Sequence, residues 1–264
     1  TVGLALHEGS HIKLSDFDFL KGLEHHIPQE YINRAEVFGW DKYEVMSKVK
    51  DLLNYVEDRR IDYFVFTNSP GYKGYYHSLY DKYFHSKVID KALKSSEYTS
   101  KDWDSYIFRI INLTNKNSDL SVLPGLSDIR KVIFSNVKSL DSTEQAFQVA
   151  LSVLDIILDN LDVNVENPQE DENEDSESQE ISVDGGDGDG DEDGSDDGGS
   201  SSDRPELTDN QKKQLQNAIN KQKKFMDGDI SKKGLSKKDK ASMDAVESAG
   251  MSYVDVAKDM TDRW

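Results

Sequence analysis

The sequence has no cysteine. That excludes disulfide bonds and thiolate metal sites, and it fits a reducing compartment. No apolar run approaches the roughly 20 residues that a membrane-spanning helix needs, and no secretory signal is visible, so the chain reads as a soluble, cytoplasmic protein that does not enter a membrane. A basic patch is missing too. The formal net charge is −19, but residues 166–203 hold seventeen Asp or Glu and no Lys or Arg, which leaves about −2 for the rest of the chain. Neither part has the Lys and Arg density that a nucleic-acid surface requires, and the acidic run would repel duplex DNA. There is also no initiator Met. Position 1 lies within a turn or two of the first motif, so the sequence reads as a fragment truncated at its N-terminus.

That motif is His7-Glu8-Gly9-Ser10-His11, an HExxH. On a helix, positions i and i+4 lie one above the other, so His7 and His11 aim two imidazoles at one point with Glu8 beside them. This is half of a hydrolytic zinc site. Such a site uses about three protein ligands and leaves a position for water, from which the adjacent Glu removes a proton. The competing reading is a surface helix carrying two ordinary histidines. Leu6, Ile12 and Leu14 argue for partial burial, where histidines need partners.

The missing ligand is expected on a second helix. From Asp41, the residues Val45, Val49, Leu52, Leu53, Val56 and Ile61 recur at helical spacing, so Tyr43 to Phe66 reads as one long amphipathic helix. Asn54, Glu57 and Asp58 lie within one turn of each other. Glu57 is assigned as the third metal ligand and Asp58, with Asn54, as an outer partner orienting a ligand histidine. The expected geometry is convergence of His7, His11 and Glu57 on one centre. The alternative is that Glu57, Asp58, Arg59, Arg60 and Asp62 form a salt-linked solvent face. Tyr55, Val56, Ile61, Tyr63 and Phe64 interrupt the run, which turns some of those charges inward.

HEGSH followed by NYVEDRRID resembles the zincin-like metallopeptidase segments that accompany von Willebrand factor A domains, in bacterial proteins related to cobalt chelatase subunits and in tailed phages. The pattern there is an HExxH helix, an N-x-x-E-D-x-R-[IV]-[ED] helix, an acidic low-complexity linker and then the von Willebrand domain. The resemblance implies His7, His11 and Glu57 as ligands of Zn²⁺ and Glu8 as the base. It also implies a peptide or protein substrate, a downstream von Willebrand factor A domain, and a home in a bacterial or phage-infected cytoplasm or in the virion. Zincin-like folds place a small sheet before the HExxH helix, and six residues cannot hold one.

After the second helix, Ser69-Pro70-Gly71 and Gly74 signal a turn with unusual backbone angles, followed by dense tyrosine. This stretch is expected to be a loop. Tyr75, Tyr76 and His77 are its candidates for donating a hydrogen bond to a developing oxyanion, and His77 or His85 is the substitute should Glu57 not be the ligand. Adjacent His25 and His26 read as helix-end positions. Residues 88–93, 103–113, 126–140 and 143–161 read as core helices, the last capped by Asp141 or Ser142.

The expected class is mainly α. A zincin-like helical domain spans residues 1–162, an acidic linker disordered by composition spans 163–205, and a helical connector to a downstream domain spans 206–264, with helices near 205–227 and 236–260. Asp189-x-Asp191-x-Asp193-Gly194 imitates half of a calcium-binding EF-hand loop and fails the other half at Asp196 and Ser200. Two functions follow. One is a zinc-dependent metallopeptidase with Glu8 as general base; the other is a non-catalytic scaffold or adaptor, phage- or chaperone-associated, with a structural or vestigial metal site.

Overall fold

The computed structural model describes residues 2–163 and 204–226. The acidic run and the second C-terminal helix near 236–260 lie outside the described residues. Within them the chain is mainly helical, without a strand. The helices are α1 (Val2–Leu14), α2 (Phe17–Lys21), α3 (Leu23–His26), α4 (Gln29–Ala35), α5 (Lys42–Asn68), α6 (Lys73–Tyr83), α7 (Lys87–Lys94), α8 (Trp103–Ile111), α9 (Leu126–Asn136), α10 (Thr143–Leu158) and α11 (Asp209–Met226). None is long and apolar enough to cross a membrane.

The second helix, α5, is the axis of the fold. Asp41 starts it with a capping box: its carboxylate accepts from the backbone N–H of Tyr43 and Glu44, and Glu44 accepts from the Asp41 N–H. Its apolar stripe from Val45 to Val65 is buried against α10, the most extensive helix contact in the molecule, while α1 lies along another side. Between Tyr55 and Asp62 every residue is buried, so this stretch has no solvent face. Five charged side chains fall in it, Glu57, Asp58, Arg59, Arg60 and Asp62, each between 2% and 6% exposed. The run is therefore not a solvent face: the inward turn expected for some of these charges holds for all five. Charges this deep are tolerated only with partners.

Helix α10 is capped by Ser142, whose hydroxyl accepts from the Gln145 N–H, and it buries ten of its residues. Asp16 caps α2, accepting from the N–H groups of Asp18 and Phe19.

The stretch expected as a tyrosine-rich loop is helix α6. The turn signal is genuine but short: Ser69 ends α5, Pro70 opens a single tight turn through Tyr72, and helix resumes at Lys73. Tyr76, Leu79 and Tyr80, at i, i+3 and i+4, are buried and outweigh Gly74 in the first turn. Helix α6 crosses α1 closely at Gly3, where an added Cβ would lie 2.7 Å from the Tyr75 carbonyl oxygen. That contact brings the start of the HExxH helix against α6.

Residues 209–226, within the stretch expected as a connector, pack on the other described helices. Helix α11 turns Leu215, Ile219, Gln222 and Phe225 inward at i, i+4, i+7 and i+10. Leu207, Leu215 and Ile219 form a second, smaller core with Ile89, Ala92, Leu93 and Phe108, while Phe225 joins the main core. The Gln222 amide donates to the Asn112 side-chain oxygen (2.9 Å) and to the Tyr83 carbonyl (3.0 Å).

Candidate metal centre

His7 and His11 are one turn apart on α1, and Asp58 on α5 faces them. His7 Nε2 lies 3.3 Å from His11 Nε2. Asp58 Oδ1 lies 3.1 Å from His11 Nε2 and 3.5 Å from His7 Nε2. Donors about 2.0–2.1 Å from one tetrahedral zinc are separated by roughly 3.3 Å, so the three edges of this triangle fit a common cation. The donor chemistry fits as well, two imidazoles and one carboxylate. Among the described residues this is the group of His and acidic side chains with convergent donor atoms. The other oxygen of Asp58 is buried and without a hydrogen-bond partner.

Glu57 is not in the triangle. Its carboxylate accepts from Arg60 Nη2 (2.5 Å) and Arg60 Nε (2.8 Å), from Ser15 Oγ (2.8 Å) and from Thr143 Oγ1 (2.9 Å). Three of these donors are on Oε1 and one on Oε2, and none of the carboxylate's hydrogen bonds is to a histidine. Arg60 in turn donates to the Leu14 carbonyl at the end of α1. Asp58, expected as an outer partner, is the carboxylate that converges with the two histidines, and Glu57, expected as the third ligand, does not reach them. Asn54 is half-buried and makes no hydrogen bond to the cluster among the described residues.

Ser15 provides the link. Its hydroxyl donates to Glu57, so the 3.1 Å contact with His11 Nδ1 is one in which the ring N–H donates to Ser15. That places a ring proton on His11 Nδ1, the tautomer whose Nε2 can coordinate a cation. His7 has a counterpart in Asp62, whose Oδ1 lies 3.4 Å from His7 Nδ1. The approach is close enough for charge pairing but lacks hydrogen-bond alignment, and both atoms are otherwise without partners. Asp62 is held by Arg59 (3.1 Å) and by the Tyr80 hydroxyl. The Arg59 guanidinium sits between the Tyr55 and Tyr80 rings.

The electrostatics follow from this crowding. Burial opposes a charge on His7, but Asp58 and then Asp62 outweigh it and raise its pKa to about 10. Burial likewise opposes ionisation of Asp58, yet His7 and His11 hold its carboxyl well below the usual carboxylate range. Without a metal, a proton on His7 balances the acidic side chains. Glu8 is half-buried, and desolvation pushes its pKa up while His7 and His11 pull it down.

Of the three oxyanion candidates, Tyr76 is at the site. Its ring meets His7 edge-on at 6.3 Å, its hydroxyl is buried and unpartnered, and burial with Asp62 and Asp58 nearby pushes its pKa upward. Tyr75 is 52% exposed and pairs with Tyr72, and His77 is exposed, so neither is brought to the cluster. His85 pairs with Asp81, His25 with Glu24, and His26 stacks on Phe19. Sequence reasoning missed Ser15, Asp62 and Phe225. The first two carried a signal: Ser15 continues the i, i+4 series of His7 and His11, and Asp62 follows Asp58 by four.

Comparison with known proteins gives no match to a family model, to a curated protein or to a solved structure.

Proposed function

We propose that the chain is a zinc-dependent metallopeptidase, with His7, His11 and Asp58 as the metal ligands and Glu8 as the general base. The observation that carries this reading is the triangle of donor atoms with edges of 3.1 to 3.5 Å. The adjacency of Glu8, which a purely structural site does not need, supports hydrolysis over storage. When bound, zinc supplies Lewis acidity, lowering the pKa of water and polarising a carbonyl at its open coordination position.

The protein's own groups do the rest. Ser15 orients the His11 imidazole through Nδ1, which fixes where its Nε2 points, while Asp62 sets a negative charge 3.4 Å from His7 Nδ1. Glu8 takes the proton of the attacking water and delivers it to the leaving amine, and its upward-shifted carboxyl suits proton transfer closer to neutral pH. Tyr76, with a hydroxyl that no protein group occupies, is the candidate donor to the developing oxyanion. The substrate is a peptide or protein, and a von Willebrand factor A domain downstream is the partner that the resemblance suggests. That resemblance supports the zincin-like reading of α1 and α5, with Asp58 in place of Glu57 as its departure.

A second reading is favoured by burial. His7 and Asp58 are each 2% exposed, and only His11 and Glu8 reach toward solvent. A centre this enclosed also suits a structural metal in a scaffold or adaptor. Zinc analysis of the purified chain together with a peptide-cleavage assay of wild type and Glu8→Gln separates the two. Zinc with Glu8-dependent cleavage supports the peptidase; zinc without it supports the scaffold.

A further inference from the structure

Among the described residues, His7 meets the ring of Phe225 on α11. The Phe225 ring, on the last turn of α11, lies 5.2 Å from the His7 imidazole, and it also packs against Tyr83 at 5.3 Å and Phe84 at 5.5 Å. Phe225 is 1% exposed and His7 2%. Helix α11 is otherwise polar, and its remaining inward residues are anchored elsewhere, Leu215 and Ile219 in the smaller core and Gln222 on Asn112 and Tyr83. Its position over His7 is thus set by contacts that are not part of the metal cluster.

Resting on the metal reading above, we propose that α11 is a wall of the centre, with Phe225 closing the His7 side of the site to water and thereby slowing the escape of zinc. An apolar shell around a metal centre controls solvent access and the local dielectric. A ligand imidazole can leave a cation readily when water or a proton can replace it. Phe225, itself packed against Tyr83 and Phe84, covers one face of the His7 ring with apolar surface.

The test uses the full chain loaded with zinc, and follows transfer of the metal to a colorimetric chelator in excess, with circular dichroism to confirm folding. Phe225→Ala is expected to release zinc faster by about tenfold or more, the scale on which outer partners act on metal affinity. Phe225→Leu, which keeps apolar bulk, is expected to restore release to near the wild-type rate. Release from folded Phe225→Ala at the wild-type rate overturns the proposal and leaves the metal reading standing, as does faster release that Phe225→Leu fails to restore. Should Phe225→Ala not fold, Leu215→Ala decides, since it loosens α11 without touching His7: faster release supports the wall and an unchanged rate overturns it. A wild-type chain that takes up no zinc overturns the metal reading itself and this inference with it.

Discussion

Glu57 and Asp58 are neighbours on α5 that face different partners. Asp58 meets His7 and His11, while Glu57 is locked to Arg60, Ser15 and Thr143. Successive helical residues are about 100° apart around the axis, so a shift of one position decides which carboxylate faces the histidines. The paired amide substitutions should therefore differ in kind. Asp58→Asn is expected to weaken zinc binding by more than the roughly 10–100-fold of an outer partner, with the fold retained. Glu57→Gln should keep zinc but lower the unfolding free energy by about 3 kcal/mol, because it leaves Arg60 buried without its counter-charge. Calorimetric zinc titration and denaturant unfolding check both, and the opposite assignment of effects would contradict the geometry.

How much of this was legible beforehand can be read from α5. Its length, its Asp41 start and its apolar stripe are written in the spacing from Val45 to Val65. The choice between Glu57 and Asp58 is not, because it depends on Thr143, a residue from a distant helix, and on Ser15, which lies just past the end of α1. The stretch expected as a loop after the long helix became α6 for a similar reason: Gly74 and the tyrosines are weaker helix formers, and burial of Tyr76 and Tyr80 overrides that preference. Phe225 could not be found at all, since nothing in an amphipathic stripe names what it packs on.

Ser15→Ala removes the hydroxyl between His11 and Glu57. The imidazole loses its acceptor at Nδ1, and zinc affinity should fall by about 10-fold or more. Ser15→Thr, which keeps the hydroxyl, should bind like wild type. Equal affinity in Ser15→Ala would show that the relay does not orient His11.

The pKa of His7 sets a pH dependence. Metal-free, this imidazole stays protonated up to about pH 10, so zinc must displace that proton, and apparent affinity should rise by about tenfold per pH unit between pH 7 and 9 from this group alone. Titrations in buffers of different ionisation enthalpy should register about one proton released from His7 per zinc at pH 8. Without metal the sign runs the other way for stability. A folded pKa raised from 6.5 to about 10 gives a contribution fully present below pH 6.5 and lost as pH rises through 10. Comparing wild type with His7→Gln across that window isolates it.

Glu8→Gln should retain zinc and lose peptide cleavage by roughly 10²–10⁴-fold, the usual contribution of a general base. Tyr76→Phe should leave folding intact, since its hydroxyl has no partner to lose, and lower the cleavage rate with little change in the Michaelis constant. A cleavage rate in Tyr76→Phe equal to wild type would remove Tyr76 from the reaction.

X-ray absorption at the zinc edge, on the purified chain reconstituted with one equivalent of zinc, addresses the ligand set directly. The account predicts a shell with two imidazoles and a carboxylate oxygen at about 2.0–2.1 Å, reduced to a shell without that oxygen, or to no bound zinc, in Asp58→Ala. A wild-type spectrum without two imidazoles, or a shell unchanged by Asp58→Ala, would contradict it.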